Sequence, residues 1–217
     1  MGSRLLLLGA LGLAVSFWGL ARDIGFIAQP FYAYAWWSYI LLLDGFVWRR
    51  RKSSLLTTRR KVVPSILLWS ITFWYFFELL NLRYQNWYYV GVFGFGSLWD
   101  FLAGTLFGMA AFSTVFMGLF ETYEALTALG ARRRATSAPR TLAPWLSYAV
   151  QGLGAVMVTL SIAFSTYLAP LVWGSLTFLV DPWNYRRGAR SLLADLEHRN
   201  LGVLLRLLGA GLLCGLV

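Results

Sequence analysis

The chain has 217 residues, 59% of them hydrophobic and only 13% charged, against about 45–50% and about 25% in ordinary soluble domains. A water-soluble fold of this size has too few charges to cover so much apolar surface, so lipid is its natural solvent. A single cysteine, Cys214, and a single histidine, His198, exclude an intrachain disulfide, a multi-cysteine metal site and a haem held by two histidines.

Seven apolar windows follow one another at about residues 5–20, 32–48, 62–80, 98–120, 142–164, 166–180 and 201–217. A helix needs about 20 residues to cross a bilayer core, with about 17 as a practical minimum, and a helical bundle is the fold that satisfies its own backbone there. The expectation is therefore all-α: one polytopic membrane domain over residues 1–217, with six or seven spans.

The first window, with Arg4 before a leucine run and Gly19-Leu20-Ala21 after it, also resembles a signal peptide. Bulky Phe17 and Trp18 stand beside the small residues, and the second window needs a crossing before it, so a retained helix is the preferred reading. Residues 22–34 (RDIGFIAQPFYAY) read as a segment along the outer interface that ends at Pro30. The second window carries Asp44 four residues before Trp48, about 6 Å from the inner boundary.

After it comes a strongly basic loop, with Arg49, Arg50, Arg51, Lys52, Arg59, Arg60 and Lys61. Arg132, Arg133, Arg134 and Arg140 follow the fourth window, and Arg186, Arg187, Arg190 and Arg199 follow the sixth. The intervening loops hold only Arg22 and Arg83. Lysine and arginine concentrate on the cytoplasmic side of short loops, so the N-terminus is placed inside. The net charge of +10 is then a topology signal aided by anionic lipid, and no nucleic-acid partner is expected.

The third window leaves the bilayer through FFELLNLRYQNWYYVG, residues 76–91. Glu78 lies roughly 21 Å beyond Pro64, in the outer third, and shares a helix face with Asn81. Arg83 and the aromatic belt Tyr84, Trp87, Tyr88 and Tyr89 belong at the interface. Gly91, Gly94 and Gly96 (GVFGFG) imitate a phosphate loop without its strand or its Lys-Ser/Thr, and read as a close-packed start to the fourth window.

Asp100 opens the fourth window on the outer side, and Glu121 and Glu124 close it on the inner side. Two polar groupings result: an outer one of Glu78, Asn81, Arg83 and Asp100, in which Arg83 is expected to pair with Glu78 or Asp100, and an inner one of Asp44, Glu121 and Glu124. Carboxylates in lipid cost several kcal/mol unless neutral, paired or hydrated. The groupings read either as the ends of a polar pathway or as groups that tie helices together. Ser70, Thr72, Ser113, Thr114 and Gln151 supply hydrogen bonding near the middles of the spans.

The fifth and sixth windows are nearly contiguous, which predicts a tight helical hairpin around Ser165–Pro170. Residues 181–200 read as a cytoplasmic amphipathic connector, with Leu192, Leu193 and Leu196 on one side and Asp181-Pro182 capping its start. The seventh window ends with the chain, as a partial or truncated span would. Gly104 with Gly108, and Gly211 with Gly215, form GxxxG faces for helix packing. Trp36-Trp37, Trp69 and Trp74 read as interfacial anchors in preference to a pigment, quinone or lipid groove. No HExxH, GxSxG or paired-aspartate motif is present, and neither a metal nor a cofactor is expected.

YILLLDG (39–45), FFELLNLR (76–83) and DPWNYRR (181–187) resemble phrases in an uncharacterised family of bacterial multi-pass inner-membrane proteins. The resemblance implies a helical inner-membrane protein over most of the chain and assigns no catalytic residue. Leucine- and arginine-rich usage also fits a GC-rich bacterial genome, and the expected location is a bacterial plasma membrane. The functional expectation is a small transporter or channel-like unit, or a helical subunit of a larger membrane complex. The alternative is an intramembrane enzyme acting on lipid or isoprenoid substrates, with arginines holding the phosphate near Asp44 and Glu121. Expected partners are the bilayer, anionic lipid at the cytoplasmic face, and a membrane-protein partner or second copy of the chain.

Overall fold

The computed structural model describes residues 1–89, 96–130 and 142–216, and every regular element among them is a helix. Gly91 and Gly94 of the glycine-rich segment and the Arg132, Arg133, Arg134 and Arg140 cluster lie outside the described residues. Four helical stretches are long and apolar enough to cross a membrane: Gly2–Ala21, Arg60–Tyr84, Leu98–Leu129 and Pro144–Ala163. Their outward residues are apolar, among them Leu7, Leu68, Trp99, Leu106 and Trp145, as expected where lipid is the solvent. The described residues fall into two compact units.

The first unit comprises the described residues of Met1–Phe76, Tyr89–Arg132 and Arg206–Val217. Its opening element is a helical hairpin of α1 (Gly2–Ala21) and α3 (Phe31–Arg51), joined through the short α2 (Gly25–Ala28). Gly2, Gly9 and Ser16 recur every seven residues on α1 and are buried. A Cβ on Gly45 would stand 2.6 Å from the Leu6 nitrogen and 2.7 Å from the Gly2 carbonyl oxygen. Gly9 meets the backbone of Leu42 in the same way, and Gly12 meets Ser38. The pairing falls in number on α3 as it rises on α1, so the helices are antiparallel and their backbones touch. Small residues allow that approach, and dispersion between the backbones holds it. The glycines that pack α1 on α3 are thus neither of the GxxxG pairs expected from the sequence.

α3 also packs against α6 (Thr114–Leu129). The Trp36 ring sits over Gly118, and the Tyr39 hydroxyl bonds Thr122 Oγ1 at 2.8 Å. The two helices run in the same direction, with Ile40 and Met117 fully buried beside Leu55. Thr122 donates to Gly118 O at 2.7 Å, and Cys214, near the end of α11 (Leu201–Cys214), reaches the same hydroxyl at 3.3 Å.

The fourth apolar window becomes two helices, α5 (Leu98–Phe112) and α6, broken at Ser113. The break has a physical cause on α4 (Val63–Tyr84). Ser70, 1% exposed, donates to Phe112 O at 2.6 Å and accepts from Phe116 N at 3.0 Å. Those two groups would bond each other in an unbroken helix. A hydroxyl inserted into the i to i−4 ladder bends a helix at that point. Ser97 caps α5 by accepting from Asp100 N at 3.1 Å and donates to the Asp100 carboxylate at 2.7 Å.

The second unit comprises Phe77–Tyr88 and the described residues of Arg133–Leu205. α7 (Pro144–Ala163) and α9 (Leu171–Arg186) pack antiparallel through the short α8 (Ser165–Leu168), at the place where the sequence predicts a hairpin. Gly154 faces the backbone at Leu179, with a hypothetical Cβ 2.8 Å from its nitrogen. α9 extends through Pro182 to Arg186, so Pro182 does not begin a connector helix. Proline withholds the donor that Phe178 O would otherwise receive, and Gln151 Nε2 separately bonds the next carbonyl, Leu179 O, at 3.0 Å. Asp181 instead caps α10 (Leu192–Glu197) from a distance, accepting from Leu192 N at 2.6 Å and Leu193 N at 3.0 Å.

Candidate functional site

Asp44 lies on α3 about 10 Å before the last residue of that helix, Arg51. Lys52 ends the helix in the left-handed region, with φ of 57°. The chain then turns back, and the segment 53–59 folds onto the helix it has just left. Asp44 organises that return. Its Oδ2 accepts from Ser54 Oγ at 2.9 Å and its Oδ1 from Leu56 N at 2.8 Å. Ser54 Oγ in turn lies 2.6 Å from Thr57 Oγ1, and Thr58 Oγ1 accepts from Ser54 N at 3.1 Å. The turn thus bonds its own hydroxyls and delivers Leu55 and Leu56 to the Ile40–Met117 core, while Arg59 Nε at its end is buried without a partner.

α6 supplies the other wall. Glu124 receives Arg51 Nη1 on Oε2 and Arg59 Nη1 on Oε1, each at 3.2 Å. One carboxylate therefore ties Arg51, the last residue of α3, to Arg59 at the far end of the 53–59 segment. Glu121 lies three residues earlier on α6, has no solvent exposure, and faces Asp44, Glu124 and Arg59. Neither of its oxygens accepts a hydrogen bond. Asp44 is equally enclosed. Two buried carboxyls thus stand together, one served by donors and the other by none. An unserved polar group in a low-dielectric interior is costly, and the group within hydrogen-bonding reach of Glu121 is the Asp44 carboxyl itself.

No family model, curated protein or solved structure matches the chain. The resemblance to bacterial multi-pass membrane proteins is therefore not joined by any identified family. What stands is an all-α protein with four candidate membrane spans among the described residues.

The structure brings Asp44, Glu121 and Glu124 together, the grouping expected on the inner side. The outer grouping is divided. Asp100 belongs to the first unit, where it caps α5. Glu78, Asn81 and Arg83 belong to the second. There the chain leaves α4 through Gln85, at φ of 53°, and doubles back. Asn81 bonds both sides of that turn, donating to Trp87 O at 2.8 Å and accepting from Asn86 N at 3.0 Å. Trp87 Nε1 then donates to Glu78 Oε1 at 3.1 Å. Arg83 donates to Ser165 Oγ at 3.2 Å, and Tyr84 pairs with Ser161 at 2.8 Å. These contacts bind a helix exit to the α7–α8 corner.

Of the expected packing glycines, Gly108 sits 3.4 Å, at its hypothetical Cβ, from the Tyr75 hydroxyl, and Gly104 lies one turn away, half-buried. A Cβ at Gly211 would meet nothing within 4 Å, and one at Gly215 would meet only its own helix. Sequence reasoning named Arg59 in the basic loop but passed over Ser54 and Thr57, the hydroxyls that serve Asp44 and its turn. It also passed over the seven-residue spacing of Gly2, Gly9 and Ser16.

Proposed function

We propose that the chain is an integral membrane protein of six or seven spans with its N-terminus inside, in a bacterial plasma membrane, acting as a small transporter or channel-like unit. In this reading Asp44, Glu121 and Glu124 form the inward-facing site for small positively charged solutes. The observation that carries it is Glu121: fully enclosed, beside a second buried acid, with no donor on either oxygen. A carboxylate kept in that state serves no packing purpose that leucine would not serve better. The alternating placement of basic residues supports the orientation. The parallel course of α3 and α6 agrees with spans two and four crossing in the same sense.

An enzyme working on lipid or isoprenoid phosphates is the weaker reading, because Arg51 and Arg59 are both engaged by Glu124. The transport reading is tested by tracer uptake into vesicles carrying the purified protein, using alkali cations and methylammonium. Uptake above protein-free vesicles that falls at least tenfold in Glu121→Gln is the expected result. Uptake no greater than in protein-free vesicles overturns the reading.

A further inference from the structure

We infer that Arg186, at the end of α9, is the centre of a binding site for the phosphate of an anionic membrane lipid, set at the rim of the α7–α9 hairpin. The inference is independent of the transport reading. Its first argument is geometry. α9 delivers Arg186 in its last turn, and α7 meets it with three side chains drawn from little more than one turn. Arg186 Nη1 donates to Ser147 Oγ at 3.5 Å, and Nη2 donates to Gln151 Oε1. The guanidinium carbon stands 4.5 Å from the centroid of the Tyr148 ring. Both acceptors are neutral, so they orient the guanidinium and leave its charge uncompensated. Its other N–H groups have no partner among the described residues. A planar fork held in place with donors to spare suits a phosphate.

The second argument is charge. The acids that follow on this stretch of chain are spent on neutral donors: Asp181 on Leu192 N and Leu193 N, Glu197 on the Tyr185 hydroxyl and Leu142 N, and Asp195 on Asn200. Among the described residues both ion pairs belong to Glu124, so neither Arg186 nor Arg187 has a carboxylate. Arg187 rests on an aromatic face as well, 4.3 Å from the Trp183 ring centroid. The third argument is depth. Trp145 and Tyr148 are exposed at the start of α7, an apolar candidate span, and Trp183 is exposed near the end of α9. Exposed aromatic rings at the ends of apolar helices sit at headgroup level, where lipid phosphates also lie. A soluble anion gains nothing from that apolar flank. Two unpaired guanidiniums also favour a headgroup without its own ammonium, since a zwitterionic lipid brings a second cation to the same place.

The test is native mass spectrometry of the full chain purified in a mild detergent, titrated with phosphatidylglycerol or with phosphatidylcholine of the same acyl chains. Phosphatidylglycerol is expected to bind about fivefold more tightly or better. Arg186→Gln is expected to weaken its binding about tenfold and to leave phosphatidylcholine unchanged. Arg190→Gln, which alters an exposed arginine of the same stretch, is expected to weaken it far less. Tyr148→Leu keeps the charge and removes the ring, and is expected to weaken phosphatidylglycerol several-fold; it decides the matter if Arg186→Gln fails to fold. The inference is overturned if the two lipids bind alike, or if phosphatidylglycerol binding is unchanged in Arg186→Gln or, where that variant does not fold, in Tyr148→Leu. It is overturned equally if Arg190→Gln costs as much as Arg186→Gln, the mark of a diffuse basic surface. Displacement of phosphatidylglycerol by millimolar inorganic phosphate would identify a soluble-anion site and overturn the lipid assignment.

Discussion

Gly45→Ala is the sharpest probe of how the first unit is held together. The added methyl would lie 2.6 Å from the Leu6 nitrogen and 2.7 Å from the Gly2 carbonyl oxygen. Both are backbone atoms of α1, so no side chain can swing aside. Ordinary carbon contacts begin near 3.4 Å, and the difference from 2.6 Å requires the two helices to part by about 0.8 Å. A gap of that size forfeits roughly a quarter to a half of the dispersion well across the interface. Overpacking of this kind costs about 1–3 kcal/mol, which for a chain of this length lowers the melting temperature by roughly 2–12 °C. The assay is thermal unfolding of purified protein in a mild detergent, followed by loss of helical signal. Gly152→Ala is the control, since a Cβ there meets nothing within 4 Å, and it should melt with the parent. If Gly45→Ala melts with the parent, or if both variants fall equally, backbone contact between α1 and α3 is not what holds this hairpin.

Three further outcomes are expected. Ser70→Ala removes the hydroxyl shared by Phe112 O and Phe116 N and should cost about 1–3 kcal/mol. Thr72→Ala, which loses only an exposed bond to its own helix, should cost far less in the same melt. Asp44→Ala leaves Leu56 N and Ser54 Oγ without their acceptor. Trypsin cleavage at Arg59–Lys61 should then become at least several-fold faster, with cleavage elsewhere unchanged. In a double-mutant cycle, Arg51→Gln and Glu124→Gln should show a coupling of about 0.2–1 kcal/mol, because the pair is partly exposed. A coupling above about 2 kcal/mol would mean that the pair is far better shielded than its geometry implies.

The inner acid grouping was legible because carboxylates in apolar windows are few, and distance from the nearest interface can be counted along a helix. Asp44 and Glu121 sit near the same end of two parallel helices, which alternate topology anticipates. The hydroxyls were not legible, because Ser54 and Thr57 reach the site only after the chain reverses at Lys52. That reversal depends on a non-glycine residue at positive φ, which leaves no strong sequence mark. The break at Ser113 was hidden for a similar reason. α5 and α6 contain no proline, and the wedge comes from Ser70 on another helix. Pro182 misled in the opposite sense: a residue that usually begins a helix sits inside α9, with Gln151 bonded to the adjacent Leu179 carbonyl.

These features share a physical logic. In lipid, apolar burial cannot select one helix arrangement from many, since each helix is as comfortable against acyl chains as against its neighbour. Selection must come from close backbone approach and from polar groups that have partners in one arrangement only. The first unit uses the former between α1 and α3 and the latter between α4 and the α5–α6 break. Every polar contact in those two places is met by the protein itself. At Glu121 the same accounting leaves two acceptor oxygens over, on a helix whose other buried hydroxyls, Thr114 and Thr122, have partners. The group within reach of those oxygens is the Asp44 carboxyl, so the two acids of α3 and α6 are the polar groups whose partners must come from each other, and a change at either should be felt at both.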